Sequence, residues 1–172
     1  MEITITMSCT INGIVADING DEEFLIDENW TLALNTINEN DAVVYGRKTY
    51  DAISSWEANY IDDLKGKNII VLTRYKKKVD SNNISYCNSI KEIIDLCSKR
   101  NYKKIAVVGG SEINTLFMKE NIVNHIIVNY NPYVLGNGIP FFAKSDFEKE
   151  LELIKVINKN NQIIQMYYDI KK

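Results

Sequence analysis

The stretch Ile105-Ala-Val-Val-Gly-Gly-Ser-Glu-Ile113 limits the possible folds more than any other part of the chain. Ile105 to Val108 is apolar and mostly β-branched, and reads as a buried strand. Gly109 and Gly110 break it, and Ser111-Glu112 open an apolar-periodic segment, Ile113, Leu116 and Phe117, that reads as a helix. A strand passing through glycine into a helix start gathers backbone N–H groups and the positive end of a helix dipole at one place. Such a place suits a phosphate. A glycine pair also serves plain tight turns, so the reading depends on what the other strand ends carry.

The same alternation runs through most of the chain. Ile3 to Met7 reads as a first strand, followed by an irregular loop through about Glu23. Asp27 or Glu28 starts a helix whose apolar positions Trp30, Leu32, Leu34 and Ile37 suit burial on one broad face. Asp41 to Tyr45 is a second strand and Gly46 to Ile53 turns into a helix. Asn68 to Thr73 is a third strand and Ile84 to Cys87 a short fourth. Ser89 to Arg100 is a helix with Ser89 as N-cap and Glu92 at the third helical position. The Lys104–Val108 strand, the glycine turn, a helix to Met118 and a strand from Val123 to Asn129 follow. Val134 to Pro140 is a turn-rich connection without a helix. Glu150–Asn158 and Gln162–Ile170 are two strands around Lys159-Asn160-Asn161, an antiparallel hairpin. This is an α/β pattern: a mainly parallel sheet with an antiparallel edge, in one domain spanning residues 1–172.

Composition narrows the partners. A net charge of −3 and a pI near 5.3 argue against nucleic-acid binding, which needs a basic surface. The basic cluster Arg74-Tyr75-Lys76-Lys77-Lys78 is a local exception, and its three lysines read best as a solvated run. Cys9, Cys87 and Cys97 form no CxxC pair and the single His125 cannot anchor a His-rich metal site, so no metal is expected. The first residues lack a signal-peptide pattern and no apolar run reaches membrane-spanning length. A cytoplasmic protein with reduced thiols is the expectation.

In an open α/β sheet, ligands bind beyond the carboxyl ends of the strands. Three such ends carry suggestive residues. After the second strand, Gly46-Arg47-Lys48-Thr49 places two cations at a helix N-terminus, where the dipole disfavours them unless an anion is bound. After the third strand come Thr73 and Arg74, a hydroxyl and a guanidinium suited to a second phosphate such as a ribose 2′-phosphate. The third is Gly109-Gly110-Ser111. The GxGxxG fingerprint and the GxxxxGK[ST] loop are both absent, which disfavours an ordinary Rossmann domain and a P-loop.

These motifs resemble the dihydrofolate reductase superfamily. The residues that carry the resemblance are Asp41-Ala-Val-Val-Tyr-Gly-Arg-Lys-Thr-Tyr50, Leu72-Thr-Arg74, Val107-Val-Gly-Gly-Ser111 and Pro132-Tyr-Val-Leu-Gly-Asn-Gly-Ile-Pro-Phe-Phe142. The last of these, with Met7-Ser-Cys-Thr-Ile-Asn-Gly-Ile14, is more similar to the riboflavin-biosynthesis reductase branch, in its short stand-alone form. The resemblance implies a three-layer α/β/α fold that binds NADPH. Gly46, Arg47, Lys48 and Thr49 would meet its phosphates, Thr73 and Arg74 the adenosine 2′-phosphate side, and Gly109, Gly110, Ser111, Glu112 and Ile113 the pyrophosphate. In the folate enzyme the matching Gly-Gly bond is cis. Ile14, Val15 and Ala16 would lie near the nicotinamide, and a homodimer is implied as well.

The chain departs from the family where Thr10-Ile11-Asn12-Gly13 replaces Ser-x-Asp-Gly. An amide at Asn12 can hydrogen-bond a substrate but has no carboxyl proton to give. Asp27 or Glu28 sits near the place of the folate enzyme's first-helix carboxylate; a helix-capping role competes with a catalytic one at both. Trp30 or Trp56 would stack on a heterocycle or serve as core and rim. The implied activity is NADPH-dependent hydride transfer to a small pterin-like or ribosylaminopyrimidine-like heterocycle. The alternatives are a dihydrofolate reductase proper and a nucleotide-binding module without turnover.

Overall fold

The computed structural model describes residues 1–56, 60–75 and 83–171. Lys76, Lys77 and Lys78 of the expected solvated run lie outside them. In chain order the elements are β1 (Glu2–Thr10), β2 (Ile14–Ala16), α1 (Glu28–Asn38), β3 (Ala42–Gly46), α2 (Arg47–Ser55), α3 (Tyr60–Asp63), β4 (Asn68–Leu72), β5 (Ile84–Cys87), α4 (Ile90–Lys99), β6 (Lys104–Val107), α5 (Ser111–Lys119), β7 (His125–Asn131), β8 (Ile139–Pro140), β9 (Leu151–Lys159) and β10 (Ile163–Ile170).

One eight-stranded sheet has the order β5-β4-β3-β6-β1-β7-β10-β9. Strands β5 through β7 in that order pair in parallel, and β10 and β9 add antiparallel at the far edge. Period-two alternation along the parallel strands sends side chains to opposite faces. Ala42, Val44, Ile70, Ile105 and Val107 pack on one face with Ile93 and Cys97 of α4 and Ile113 and Phe117 of α5. Val43, Tyr45, Ile69, Val71 and Ala106 pack on the other with Ile37 of α1 and Tyr50 and Ile53 of α2. The result is the three-layer α/β/α arrangement, with parallel strands buried on both faces as their near-continuous apolar runs require.

Local chemistry accounts for the element ends. Ser89 caps α4, its Oγ accepting from the Glu92 N–H at 3.2 Å, while Glu92 Oε2 accepts from the Asn88 N–H at 2.7 Å. Ser89→Ala is expected to cost about 1 kcal/mol of stability, read as a lower denaturant midpoint at constant slope. The β9–β10 connection, residues 160–162, uses Asn160 (φ 51°) and Asn161 (φ 57°) in the left-handed region, and the Gln162 N–H donates to Lys159 O at 3.0 Å. His125 opens β7 with its ring nitrogens 2.6 Å from Asp169 and 2.8 Å from Glu2, tying β10 and β1 to β7. Its role is structural.

Two stretches differ from the sequence expectation. The first strand runs on to Thr10, because β7 continues beside it through the Thr10–Asn131 register pair. The supposed loop after it and the turn-rich segment near Pro140 meet as a second, two-stranded sheet, with Ile14 opposite Pro140 and Ala16 opposite Ile139. Neither strand is long enough to show a period on its own.

Candidate active site

All parallel strands end at one edge of the sheet, so Gly46, Thr73 and Gly109 stand side by side beyond β3, β4 and β6. The chain brings them close: the Gly46 N–H donates to Gly109 O at 2.8 Å, and Val108 N–H to Val44 O at 3.0 Å. A Cβ on Gly46 would meet Ile113 Cγ1 at 2.7 Å, and one on Gly110 would meet Thr49 Oγ1 at 3.2 Å. Gly109 adopts φ +78°, which only glycine takes up without strain, and the Gly109–Gly110 bond is cis.

Gly46 and Gly110 are also the N-caps of α2 and α5, and neither helix has a side-chain cap. Their first-turn N–H groups therefore face outward without a capping oxygen, as an anion site needs. The buried Ser111 Oγ has no partner. Arg47 and Lys48 occupy the first turn of α2, which holds no acidic residue. The Arg47 guanidinium is held 2.6 Å from Asp51 and stands 5.8 Å from the Tyr75 ring centre. Thr73 is buried and its Oγ1 accepts from the Tyr75 N–H at 3.2 Å, while Arg74 is exposed. Glu112 is exposed beside Ser111, and Ile113 is buried under the glycines. The structure thus brings the Gly46 and Gly109-Gly110 strand ends into contact, with Thr73 at the end of the neighbouring β4.

Beside these strand ends lies a cavity of about 500 Å³. Thr6, Met7 and Ser8 of β1, Val108 and Asn129 form part of its wall, with Leu25, Ile26, Trp30, Ile53 and Trp56 as its apolar surfaces. Trp30 is fixed by its indole N–H, which donates to Asp63 Oδ2 at 2.7 Å, and by the Tyr60 ring against it at 4.7 Å. Asn29 joins α1 to β7 by a reciprocal amide pair with Asn131, at 2.8 and 3.1 Å.

The expected catalytic and substrate residues divide. Asp27 lines the cavity and, although it precedes α1, its carboxylate makes no cap hydrogen bond. Glu28 does not line the cavity; its carboxylate faces Asn160 at the hairpin tip, 3.4 Å away. Asn12 also stands apart from the cavity. Its Oδ1 accepts from Thr10 Oγ1 and its Nδ2 donates to Leu135 O, both at 2.7 Å, so the amide clamps two loops and lies outside the cavity lining. Ile14, Val15 and Ala16 form β2 and are anchored by β8, with the Phe141 N–H donating to Gly13 O at 2.9 Å. The cysteines are buried, and burial pushes the Cys9 thiol up to about 12.

Sequence reasoning missed Glu22. It lines the cavity, is half-buried, and its carboxyl is pushed up to about 7, first by burial and then by the negative charge of Asp21. The run Asp21-Glu22-Glu23 before the helix is the only sequence signal, and a surface loop explains such a run equally well.

The dihydrofolate reductase family model matches residues 30–165. The uncharacterized protein YyaP of Bacillus subtilis is 23% identical over 175 residues, covering 96% of this chain and 93% of its own. A protein assigned to riboflavin biosynthesis in Shewanella sp. PV-4 shares the fold with a TM-score of 0.83 at 21% identity, each chain fully covered. A diaminohydroxyphosphoribosylaminopyrimidine deaminase/5-amino-6-(5-phosphoribosylamino)uracil reductase of Thermotoga maritima shares it at 0.76 and 15% identity, over 99% of this chain and 56% of that one.

Proposed function

The chain belongs to the dihydrofolate reductase family, and from that premise we propose that it is an NADPH-dependent reductase of a small heterocycle. The observation that carries the reading is the adjacency of two unlike sites: a cradle of glycine-capped helix starts and cations beyond β3, β4 and β6, and an aromatic cavity beside it. The dinucleotide, when bound, supplies the hydride for an electrophilic C=N or C=O carbon.

The chain's own work is to bind, orient and protonate. Arg47, Lys48 and Thr49 with the α2 start take one set of phosphate oxygens, Thr73 and Arg74 the 2′-phosphate side, and Gly109 to Ile113 the pyrophosphate. Ile14 to Ala16 border the nicotinamide. Trp30 and Trp56 supply faces on which a planar ring stacks. The heteroatom of the reduced bond must gain a proton. Glu22 and Asp27 are the carboxyl groups on the cavity wall close to that role, and burial favours Glu22, since a carboxyl held up near 7 keeps its proton near neutrality. For the homodimer, the supporting surface is the exposed apolar row Leu153, Ile154 and Val156 on β9.

The test is loss of NADPH absorbance with pterin and ribosylaminopyrimidine substrates. Arg47→Ala is expected to weaken NADPH binding by about 1–3 kcal/mol, the scale of a lost charged hydrogen bond. Unchanged affinity in that variant refutes the phosphate assignment. Tight NADPH binding without oxidation by any member of the panel favours a binding module instead.

A further inference from the structure

Every Asp, Glu, Lys, Arg or His among the described lining of the cavity is acidic: Asp21, Glu23 and Asp27, together with the proton-retaining Glu22. No Lys, Arg or His stands with them in that lining. The basic side chains nearest the site in sequence, Arg47, Lys48 and Arg74, lie at the ends of β3 and β4, on the cradle side. Charge is therefore partitioned: cations where the phosphates of a dinucleotide would lie, carboxylates where the second molecule would enter.

The strands under the cavity add a carbonyl oxygen that can only accept, on Asn129, and a hydroxyl that can accept, on Thr6. Thr6 and Asn129 both line it, each is 1% exposed, and Thr6 Oγ1 and Asn129 Oδ1 have no hydrogen-bond partner. An unpartnered buried oxygen costs free energy unless a donor arrives, and the Asn129 amide has already used its Nδ2 on Ser8 Oγ at 3.2 Å. The acids do not form a metal site: among the described residues, no group of three His, Cys, Asp or Glu is placed to hold an ion.

We propose that the molecule taken by this cavity is an uncharged or cationic heterocycle rich in N–H donors, bearing neither a phosphate nor a carboxylate. This rests on the reductase reading of the same site and narrows its substrate class. A phosphoribosyl group or an acidic tail would enter among like charges with no counter-ion, a mismatch that water weakens without reversing. Amino and ring N–H groups would meet acceptors that now lack donors. Rejection of anions here is built from repulsion as well as fit.

The chain's two tryptophans, Trp30 and Trp56, both line the cavity, so their fluorescence reports its occupancy independently of turnover. The full chain, saturated with NADP⁺, is titrated with 6-aminomethylpterin, 6-hydroxymethylpterin and 6-carboxypterin, which differ chiefly in the charge of one substituent. A second pair is a ribosylaminopyrimidine with and without its 5′-phosphate. The cationic and neutral members are expected to bind at least tenfold tighter than the anionic ones at low salt. The gap is expected to narrow in high salt and in Glu23→Gln. Equal or tighter binding of an anionic member overturns the proposal, as does failure of every neutral and cationic member to quench. A gap that neither salt nor Glu23→Gln changes assigns the discrimination to shape and overturns the charge argument. Failure of the reductase reading looks different: the same order of affinities, with no NADPH oxidised by the members that bind.

Discussion

Glu22→Gln is expected to lower turnover by about 10²–10⁴-fold while leaving the fold intact, the range that general acid catalysis contributes. The amide keeps the size and hydrogen-bonding reach of the acid and removes only its proton. The pH dependence follows from the direction of the shift. Burial and Asp21 raise the folded-state value of Glu22 from 4.5 to about 7. The acid form is the donor, so wild-type kcat is expected to fall as pH rises through about 7, and the variant's residual rate to lose that limb. Stability moves with it. A carboxyl whose folded value lies above its unfolded one contributes most below the unfolded value, and that contribution is lost as pH rises through about 7. Glu22→Gln is therefore expected to flatten the decline in denaturation midpoint over that window. Pre-steady-state hydride transfer and unfolding curves across the pH range check both. Full turnover with the limb intact in Glu22→Gln would move the proton to Asp27.

Gly138→Ala is expected to damage stability and cofactor use together, although residue 138 touches neither cavity nor cradle. A Cβ there would lie 2.3 Å from Ala16 O and 2.6 Å from Ile14 Cγ2. A carbonyl held in the β2–β8 pairing cannot swing aside as a long side chain can, so that pairing must open. Overpacking of this kind costs about 1–3 kcal/mol. It also displaces Ile14 to Ala16, and a misplacement near 1 Å at a reacting pair is worth about 10²-fold in rate. Gly136→Ala is the matched control, since a Cβ there meets nothing within 4 Å. Thermal midpoints and KM for NADPH of the two variants check this. Equal behaviour of both would show that the close approach at 138 is not what holds the loop.

The parts of the fold legible in the sequence are those where a local pattern and the tertiary environment agree. The runs around Val43, Ile70 and Ala106 are apolar throughout because those strands are covered on both faces, and Gly46 and Gly109-Gly110 follow two of them because the chain turns there into α2 and α5. The cradle was legible for the same reason, as backbone chemistry written in glycine and in the charge beside it. The cavity was not. Glu22 is distinguished from Asp21 and Glu23 only by how deeply the folded loop encloses it. The sequence does not show that the Asn12 amide is bound by Leu135, a residue 123 positions away. Glu28 and Asp27 are neighbours at a helix start, and only the position of the hairpin tip separates their surroundings.

The Asn29–Asn131 amide pair gives the cavity walls of unequal stiffness. On one side, moving α1 away from β7 breaks two side-chain hydrogen bonds, and Asn131 is itself pinned to the sheet by its Nδ2 donating to Cys9 O and Asn129 O. On the other, the stretch from Asp17 to Glu23 is held by contacts within itself: Asp17 accepts from Asn19 and Asp21, and Asp21 from Glu23. That stretch can swing as a unit without giving them up. The pocket is a vice with one jaw tied to the sheet and one tied mainly to itself, and three of the four acidic lining residues, Asp21, Glu22 and Glu23, ride on the second.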